Sequence, residues 1–104
     1  MITILNTSIL TNLGTYTYHA ITLEQARASI AGGFTSAIGH QSTAELLSSL
    51  LGVSVPVNRI QFAQEVGDMA LVFKVKGRPS EGKILTIAEI EEIGYEFGLL
   101  TRTR

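Results

Sequence analysis

A chain of 104 residues is long enough for one hydrophobic core and too short for two of ordinary size, so we expect a single domain over residues 1–104. Hydrophobic residues make up 45% of the sequence and charged residues 16%, which predicts a folded chain with few surface charges. The net charge of -1 argues against a protein that coats long nucleic acid through many phosphate contacts. It is compatible with binding of a small anionic ligand.

The sequence predicts no metal site and no membrane segment. Without cysteine there is neither a disulfide framework nor a thiolate site, and two histidines are too few for a histidine-rich site. The apolar start, residues 1–10, is interrupted by Asn6, Thr7 and Ser8 and lacks a basic flank. We therefore expect a cytoplasmic protein whose first residues form a core strand.

The first half of the chain predicts alternating strands and helices. Residues 2–5 predict a buried strand, and residues 15–21 a second strand antiparallel to its neighbour. Thr22 with Gln25 forms a capping box for a helix that stops at residues 32–33.

A third strand and a second helix follow. Residues 34–38 predict the strand, and Ser42 with Glu45 forms a second capping box for a helix that stops at Gly52.

The second half predicts a β-hairpin, one more helix and a last strand. Residues 59–66 and 69–75 flank a Gly-Asp turn and predict the hairpin. Residues 77–82 form a polar loop, a third capping box at residues 86–89 opens a helix, and residues 99–104 predict an edge strand. Together these elements indicate an α/β domain, a mixed sheet flanked by helices.

Residues 38–43 carry the clearest signal for chemistry. They run from a strand through Gly39 into a helix start, where free backbone N–H groups and the helix dipole favour a phosphate. Ser42 and Thr43 add hydroxyl donors, and the imidazole of His40 is placed to protonate a leaving oxygen. The alternative is that Ser42 only caps the helix and His40 is an ordinary loop residue.

Two cationic side chains and one carboxylate in a loop form a second candidate group. Arg78, Glu81 and Lys83 suit either a mobile lid over an anion or a solvated hairpin loop. Arg59 could bind a phosphate or face water. Tyr16 and Tyr18, on one side of a strand, could stack on bases or pack on the sheet.

Familiar catalytic motifs are absent. There is no paired-carboxylate metal motif, Walker loop, dinucleotide glycine fingerprint or Gly-x-Ser-x-Gly elbow. His19 has no visible partner, and we assign it no role.

Four pieces of the chain, taken together, resemble the type III anti-CRISPR ring nucleases, a family of small viral and prophage proteins earlier grouped as a domain of unknown function. The pieces span nearly the whole chain and are residues 4–6, 38–43, 58–59 and 78–86. The resemblance implies a metal-independent, cofactor-free enzyme that cleaves cyclic tetra-adenylate, the second messenger of type III CRISPR systems, to linear di-adenylate. A viral member would act as an anti-CRISPR protein in the host cytoplasm, and a cellular one would end its own signal.

The family pattern also assigns roles to residues. His40 matches the catalytic histidine, and Arg78 and Glu81 match the active-site arginine and glutamate. Asn6 matches better than Ser8, which is slightly displaced from the family's serine. Further candidates come from the helix start and from the polar loop. The complete set of predicted ligand-binding residues is Asn6, Ser8, Gly39, Gln41, Ser42, Thr43, Arg59 and Lys83.

A two-fold symmetric homodimer fits this activity. A four-fold ring contains a two-fold axis, so two copies of His40 can act at opposite phosphates, and a shared interface explains the few surface charges. Two other hypotheses stay open: a non-catalytic protein that sequesters cyclic nucleotides, and a structural or interaction protein of a virus or mobile element.

Overall fold

Five strands and three helices form within residues 2–76 and 87–104, the residues that the computed structural model describes. The strands are β1 (Ile2–Leu5), β2 (Tyr16–Ile21), β3 (Thr35–Ser36), β4 (Met69–Val75) and β5 (Tyr95–Arg102). The helices are α1 (Leu23–Ile30), α2 (Gln41–Leu51) and α3 (Ile87–Ile93). The strands form one sheet in the order β2-β5-β4-β1-β3, which confirms the predicted α/β fold with a mixed sheet.

One half of the sheet, from β4 to β3, is parallel and the other half, from β4 to β2, is antiparallel. β1 pairs in parallel with both β3 and β4, and β5 pairs antiparallel with β4 and β2. All four residues of β1 are buried, as expected for an apolar strand with neighbours on both sides and cover on both faces. Because β1, β3 and β4 are parallel, their carboxyl ends lie at the same edge of the sheet, where α/β proteins commonly place ligands.

The main core lies between the sheet and the helices. Side chains alternate between the two faces along each strand, so Ile4, Leu71, Phe73 and Phe97 point to this core. The rings of Phe73 and Phe97 lie 5.4 Å apart between centroids. The buried residues that the helices contribute are Ala26, Ile30, Ala44, Leu46, Leu47, Leu50, Leu51 and Ile90.

The opposite face of the sheet carries a smaller cluster. Its buried members are Leu5, Ala70, Val72 and Leu100. Gln64 is completely buried, and its Nε2 donates hydrogen bonds to the carbonyl oxygens of Asp68 (2.8 Å) and Leu100 (2.9 Å). These bonds attach the segment before β4 to β5.

Several local predictions are confirmed. The strands at residues 2–5 and 15–21 are present, the second only one residue shorter. Both hydrogen bonds of the first capping box form: the Gln25 N–H donates to Thr22 Oγ1 (3.1 Å), and the Thr22 N–H donates to Gln25 Oε1 (2.9 Å). α2 ends at Gly52 in the left-handed conformation, with φ of 72°.

The predicted capping box of α2 is wrong. The N-cap is His40, without a side-chain capping bond, and Glu45 accepts a hydrogen bond from Gln41 Nε2 (3.0 Å). Residues 37–39 are hydrogen-bonded to neighbouring chain segments, and His40 itself is extended (φ -125°, ψ 132°), so the helix begins directly after it, before Ser42.

The predicted β-hairpin is also wrong. No strand forms in residues 59–66, because β1 and β5 already occupy both edges of β4. The final strand is interior rather than at an edge, since β5 lies between β2 and β4. The strand expected at residues 34–38 is reduced to β3. The polar loop at residues 77–82 and Thr86 of the third capping box lie outside the described residues.

Candidate functional site

The segments that follow β1 and β3 meet at the carboxyl edge of the sheet. Asn6 follows β1 directly and is exposed. After β3, the Ala37 N–H donates to the carbonyl oxygen of Ile4 (3.0 Å), so the chain stays beside β1 as it approaches α2. The start of α2 is therefore attached to the same edge at which Asn6 lies.

The N-terminus of α2 is open to a ligand. The first helical hydrogen bond runs from the Ala44 N–H to the carbonyl oxygen of His40 (3.0 Å). Within the described residues, the N–H groups of Gln41, Ser42 and Thr43 have no hydrogen-bond acceptor. The first turn also contains no acidic residue. Unpaired donors at the positive end of a helix dipole form a binding site for an anion.

Polar side chains surround these donors. His40, Gln41 and Ser42 are exposed, and Thr43 is half-buried. Because His40 is the N-cap but its side chain does not cap the helix, the imidazole is not used to hold the helix end. The amide of Gln41 instead donates along the helix to Glu45, so Gln41 offers a ligand its backbone N–H.

Arg59 is held against the residue that precedes His40. Its Nε donates a 2.9 Å hydrogen bond to the carbonyl oxygen of Gly39. A Cβ atom added to Gly39 would lie 3.4 Å from Arg59 Cγ, so the glycine lets the arginine approach closely. Arg59 is exposed, and its two Nη groups have no hydrogen-bond partner among the described residues. A guanidinium with free donors thus lies beside the helix start.

Hydrogen bonds of Asn58 and Ser36 hold together the two segments that carry Gly39 and Arg59. The Asn58 N–H donates to the carbonyl oxygen of Ile38 (2.8 Å), and Asn58 Nδ2 donates to that of Ser36 (2.8 Å). The buried Ser36 hydroxyl donates to the carbonyl oxygen of Pro56 (2.6 Å). These bonds were not foreseen, because the only signal for them in the sequence is the Asn-Arg pair at residues 58–59.

The structure brings together most of the predicted residues that it describes. Gly39, His40, Gln41, Ser42, Thr43 and Arg59 lie at the helix start. Ser8 lies elsewhere: it lines an open groove of about 330 Å³ together with Ile9, Leu10, Tyr16, Tyr18 and Leu100. Arg78, Glu81 and Lys83 lie outside the described residues.

The two tyrosines pack on the sheet. Tyr16 is half-buried against the smaller cluster, and its hydroxyl donates to the carbonyl oxygen of Asn12 (2.9 Å). Tyr18 lies over Gly98, since a Cβ atom added to the glycine would be only 2.5 Å from Tyr18 Cε1. The apolar groove beside them was not predicted, although the pair Ile9 and Leu10 inside an otherwise polar segment was a signal for it.

Residues 2–76 and 87–104 contain neither a metal-binding cluster nor a membrane-spanning helix. In that part of the chain, no three acidic or histidine side chains lie close enough together to hold a metal ion. No helix there is both long and apolar enough to span a membrane.

The family model of STIV B116-like proteins matches residues 2–97, which include every residue of the helix-start site. This chain belongs to the STIV B116-like family.

Relatives occur in a virus and in a bacterium. Protein 26 of Sulfolobus islandicus filamentous virus is 40% identical over 88 residues, covering 81% of this chain and 75% of its own. YddF of Bacillus subtilis is 36% identical over 104 residues, covering 97% of this chain and 96% of its own. The structure of B116 from Sulfolobus turreted icosahedral virus superposes with a TM-score of 0.82 at 25% identity, over 97% of this chain and 98% of that one.

Proposed function

We propose that this protein is a metal-independent ring nuclease that cleaves cyclic tetra-adenylate to linear di-adenylate. The observation that carries the proposal is the start of α2, where the imidazole of His40, the guanidinium of Arg59 and three N–H groups without an acceptor among the described residues lie together. A phosphodiester needs this set: donors for its charged oxygens and an acid for its leaving group.

The substrate supplies its own nucleophile. The 2′-oxygen of a ribose bonds to the adjacent phosphorus, the bond from phosphorus to the 5′-oxygen breaks, and a 2′,3′-cyclic phosphate remains. The 2′-hydroxyl proton passes to solvent, and His40 donates a proton to the departing 5′-oxygen. General acid catalysis of this kind contributes roughly 10²–10⁴ in rate. Because the nucleophile is built into the ring, the step requires no metal-bound water.

The remaining residues are proposed to bind and orient the ring. The N–H groups of residues 41–43 and the Arg59 guanidinium would hold phosphoryl oxygens, and Arg78 would stabilise the charge that builds on them. Glu81 would orient the imidazole of His40. Asn6 and Lys83 are proposed as further ligand contacts, whereas Ser8, which lines the separate groove beside Tyr16, is not.

We propose a two-fold symmetric homodimer as the active form. Large apolar side chains are exposed in the isolated chain, with Leu10 at 67%, Leu13 at 96% and Val66 at 60% exposure. Surfaces of this kind favour association. Two sites related by a two-fold axis would cut a four-membered ring at opposite phosphates. Light scattering after size-exclusion chromatography tests the dimer directly.

The activity is tested with labelled cyclic tetra-adenylate in excess EDTA, with products separated by chromatography. We expect wild type to give linear di-adenylate and His40→Ala to leave the ring intact. His19→Ala is the matched control, because His19 is also exposed but lies on β2. Equal loss of activity in both histidine variants would contradict the role of His40.

A second candidate is a non-catalytic protein that sequesters a cyclic nucleotide. The unpaired N–H groups of α2 favour it, because they bind an anion without any chemistry. A saturating ring would then raise the melting temperature of the wild type without being consumed. If no oligoadenylate raises the melting temperature, both ligand-based functions fail and a structural or interaction role remains.

A further inference from the structure

We propose that Asn58 is a positioning residue that aligns His40 with the scissile phosphate. The inference rests on the proposed ring nuclease activity, and it assigns a residue that would not touch the ring. It is drawn from the hydrogen bonds that join residues 56–59 to residues 36–39.

Asn58 binds the β3–α2 connection at two points. Its backbone N–H donates to the carbonyl oxygen of Ile38 and its side-chain Nδ2 to that of Ser36, each at 2.8 Å. The second bond spans 22 residues of sequence, so it fixes the position of one segment on another. Since Asn58 is half-buried, water competes only partly for these carbonyl groups.

The two hydrogen bonds of Asn58 form a clamp between the two segments. The residues that follow it in each segment are those proposed to act on the ring. His40 lies two residues beyond Ile38, and Arg59 follows Asn58 and is bonded to Gly39. The Nδ2 bond therefore helps to fix the position at which the chain enters α2 and so the position of the His40 backbone. A displacement of about 1 Å at a reacting group can cost on the order of 10² in rate, so loss of the clamp is expected to reduce turnover.

Asn58→Asp is the sharpest test, because the two side chains have the same shape. The carboxylate cannot donate to the Ser36 carbonyl oxygen and would be repelled by it, whereas the backbone bond to Ile38 is kept. Asn12→Asp is the matched control. Asn12 is exposed, and its side chain accepts only a local bond from Thr11 Oγ1 (2.7 Å) within the described residues.

Cleavage of cyclic tetra-adenylate is measured by single-turnover kinetics well below the melting temperature of either variant. We expect Asn58→Asp to lower the rate of cleavage about ten-fold or more. The Kd for the ring should change much less, because the N–H donors of α2 remain. A residue that only stabilised the fold would lower the melting temperature and leave the rate per folded site unchanged. A rate equal to that of Asn12→Asp would overturn the proposal.

A measurement without ligand separates this proposal from the activity. In amide NMR spectra of the free protein, Asn58→Asp should shift the signals of Ile38, Gly39 and His40 and speed their hydrogen exchange, whereas Asn12→Asp should not. If the wild type does not cleave the ring, the proposed function fails while these spectra still test the clamp. Unchanged spectra in a folded Asn58→Asp variant would show that the clamp does not exist.

Discussion

Arg59 Nε and the carbonyl oxygen of Gly39 are joined by a 2.9 Å hydrogen bond across 20 residues of sequence. The bond fixes a guanidinium beside the peptide that leads into His40 and the open end of α2. A phosphate bound at that helix end would therefore meet backbone N–H groups and a pre-positioned arginine together. Since Arg59 is already held, little side-chain freedom is lost when a ligand binds.

Removal of the Arg59 side chain should weaken binding of cyclic tetra-adenylate without unfolding the protein. We expect Arg59→Ala to raise the Kd about ten-fold, or ~1.4 kcal/mol, the scale of a charge-assisted contact. Isothermal titration on the His40→Ala background avoids turnover. Arg27→Ala is the control, because Arg27 binds the other end of α2. The same Kd in both arginine variants would exclude Arg59 from the site.

Arg27→Ala should instead lower stability. Arg27 Nε and Nη2 donate to the Leu50 carbonyl oxygen at 3.0 and 2.7 Å, placing a cation at the C-terminal end of α2. Its loss should cost about 1 kcal/mol, which lowers Tm by roughly 4–8 °C in a domain of this size. Thermal denaturation followed by circular dichroism measures the change. An unaltered Tm would mean that the bond contributes nothing in solution.

Gly39→Ala should disturb ligand binding more than folding. The added Cβ would lie 3.4 Å from Arg59 Cγ, at the tight limit of ordinary van der Waals contact, so it would crowd the arginine. We expect a weaker Kd for the ring and a small change in Tm. Gly32→Ala is the matched control, since no atom lies within 4 Å of its added Cβ. If the two alanine variants bind the ring equally well, close contact at Gly39 is not required.

Gly98→Ala should destabilise the sheet through Tyr18. The new Cβ would lie 2.5 Å from Tyr18 Cε1, so the half-exposed ring must leave its place on β5, and we expect a loss of about 1 kcal/mol. In Tyr18→Ala the same glycine substitution should cost much less, because the clash is gone. Urea denaturation of the wild type, the two single variants and the double variant gives the coupling free energy between Tyr18 and Gly98. Strictly additive effects would show that the ring does not rest on Gly98.

Local signals in the sequence predicted the elements that depend on nearby residues. The Thr22 capping box and the left-handed end of α2 at Gly52 are determined within a single turn of helix, and both are present. The start of α2 was misplaced because Ser42 and Glu45 offered an equally good local pattern. The segment before the actual start is hydrogen-bonded to Asn58, which is distant in sequence, so no local pattern could indicate it.

Strand pairing was harder to foresee for the same reason. Residues 59–66 carry a loose alternation and adjoin a turn at Gly67, yet β4 finds its partners in β1 and β5. The position of β5 inside the sheet depends on β2, from the other half of the chain. In the candidate site, the segment 38–43 was recognisable because its residues are contiguous. The contact of Arg59 with Gly39 could not be derived from spacing.

The pairing of β2 with β5 also governs when the domain can form. Among the described residues β2 borders no other strand, and its residues from Tyr16 to Ile21 align with those from Arg102 back to Phe97. During translation β2 leaves the ribosome long before β5 exists, so it must remain without its partner while the intervening chain is made. Closure of the sheet is thus a late event in biosynthesis, and loop-closure entropy makes it slow compared with formation of α1 or α2.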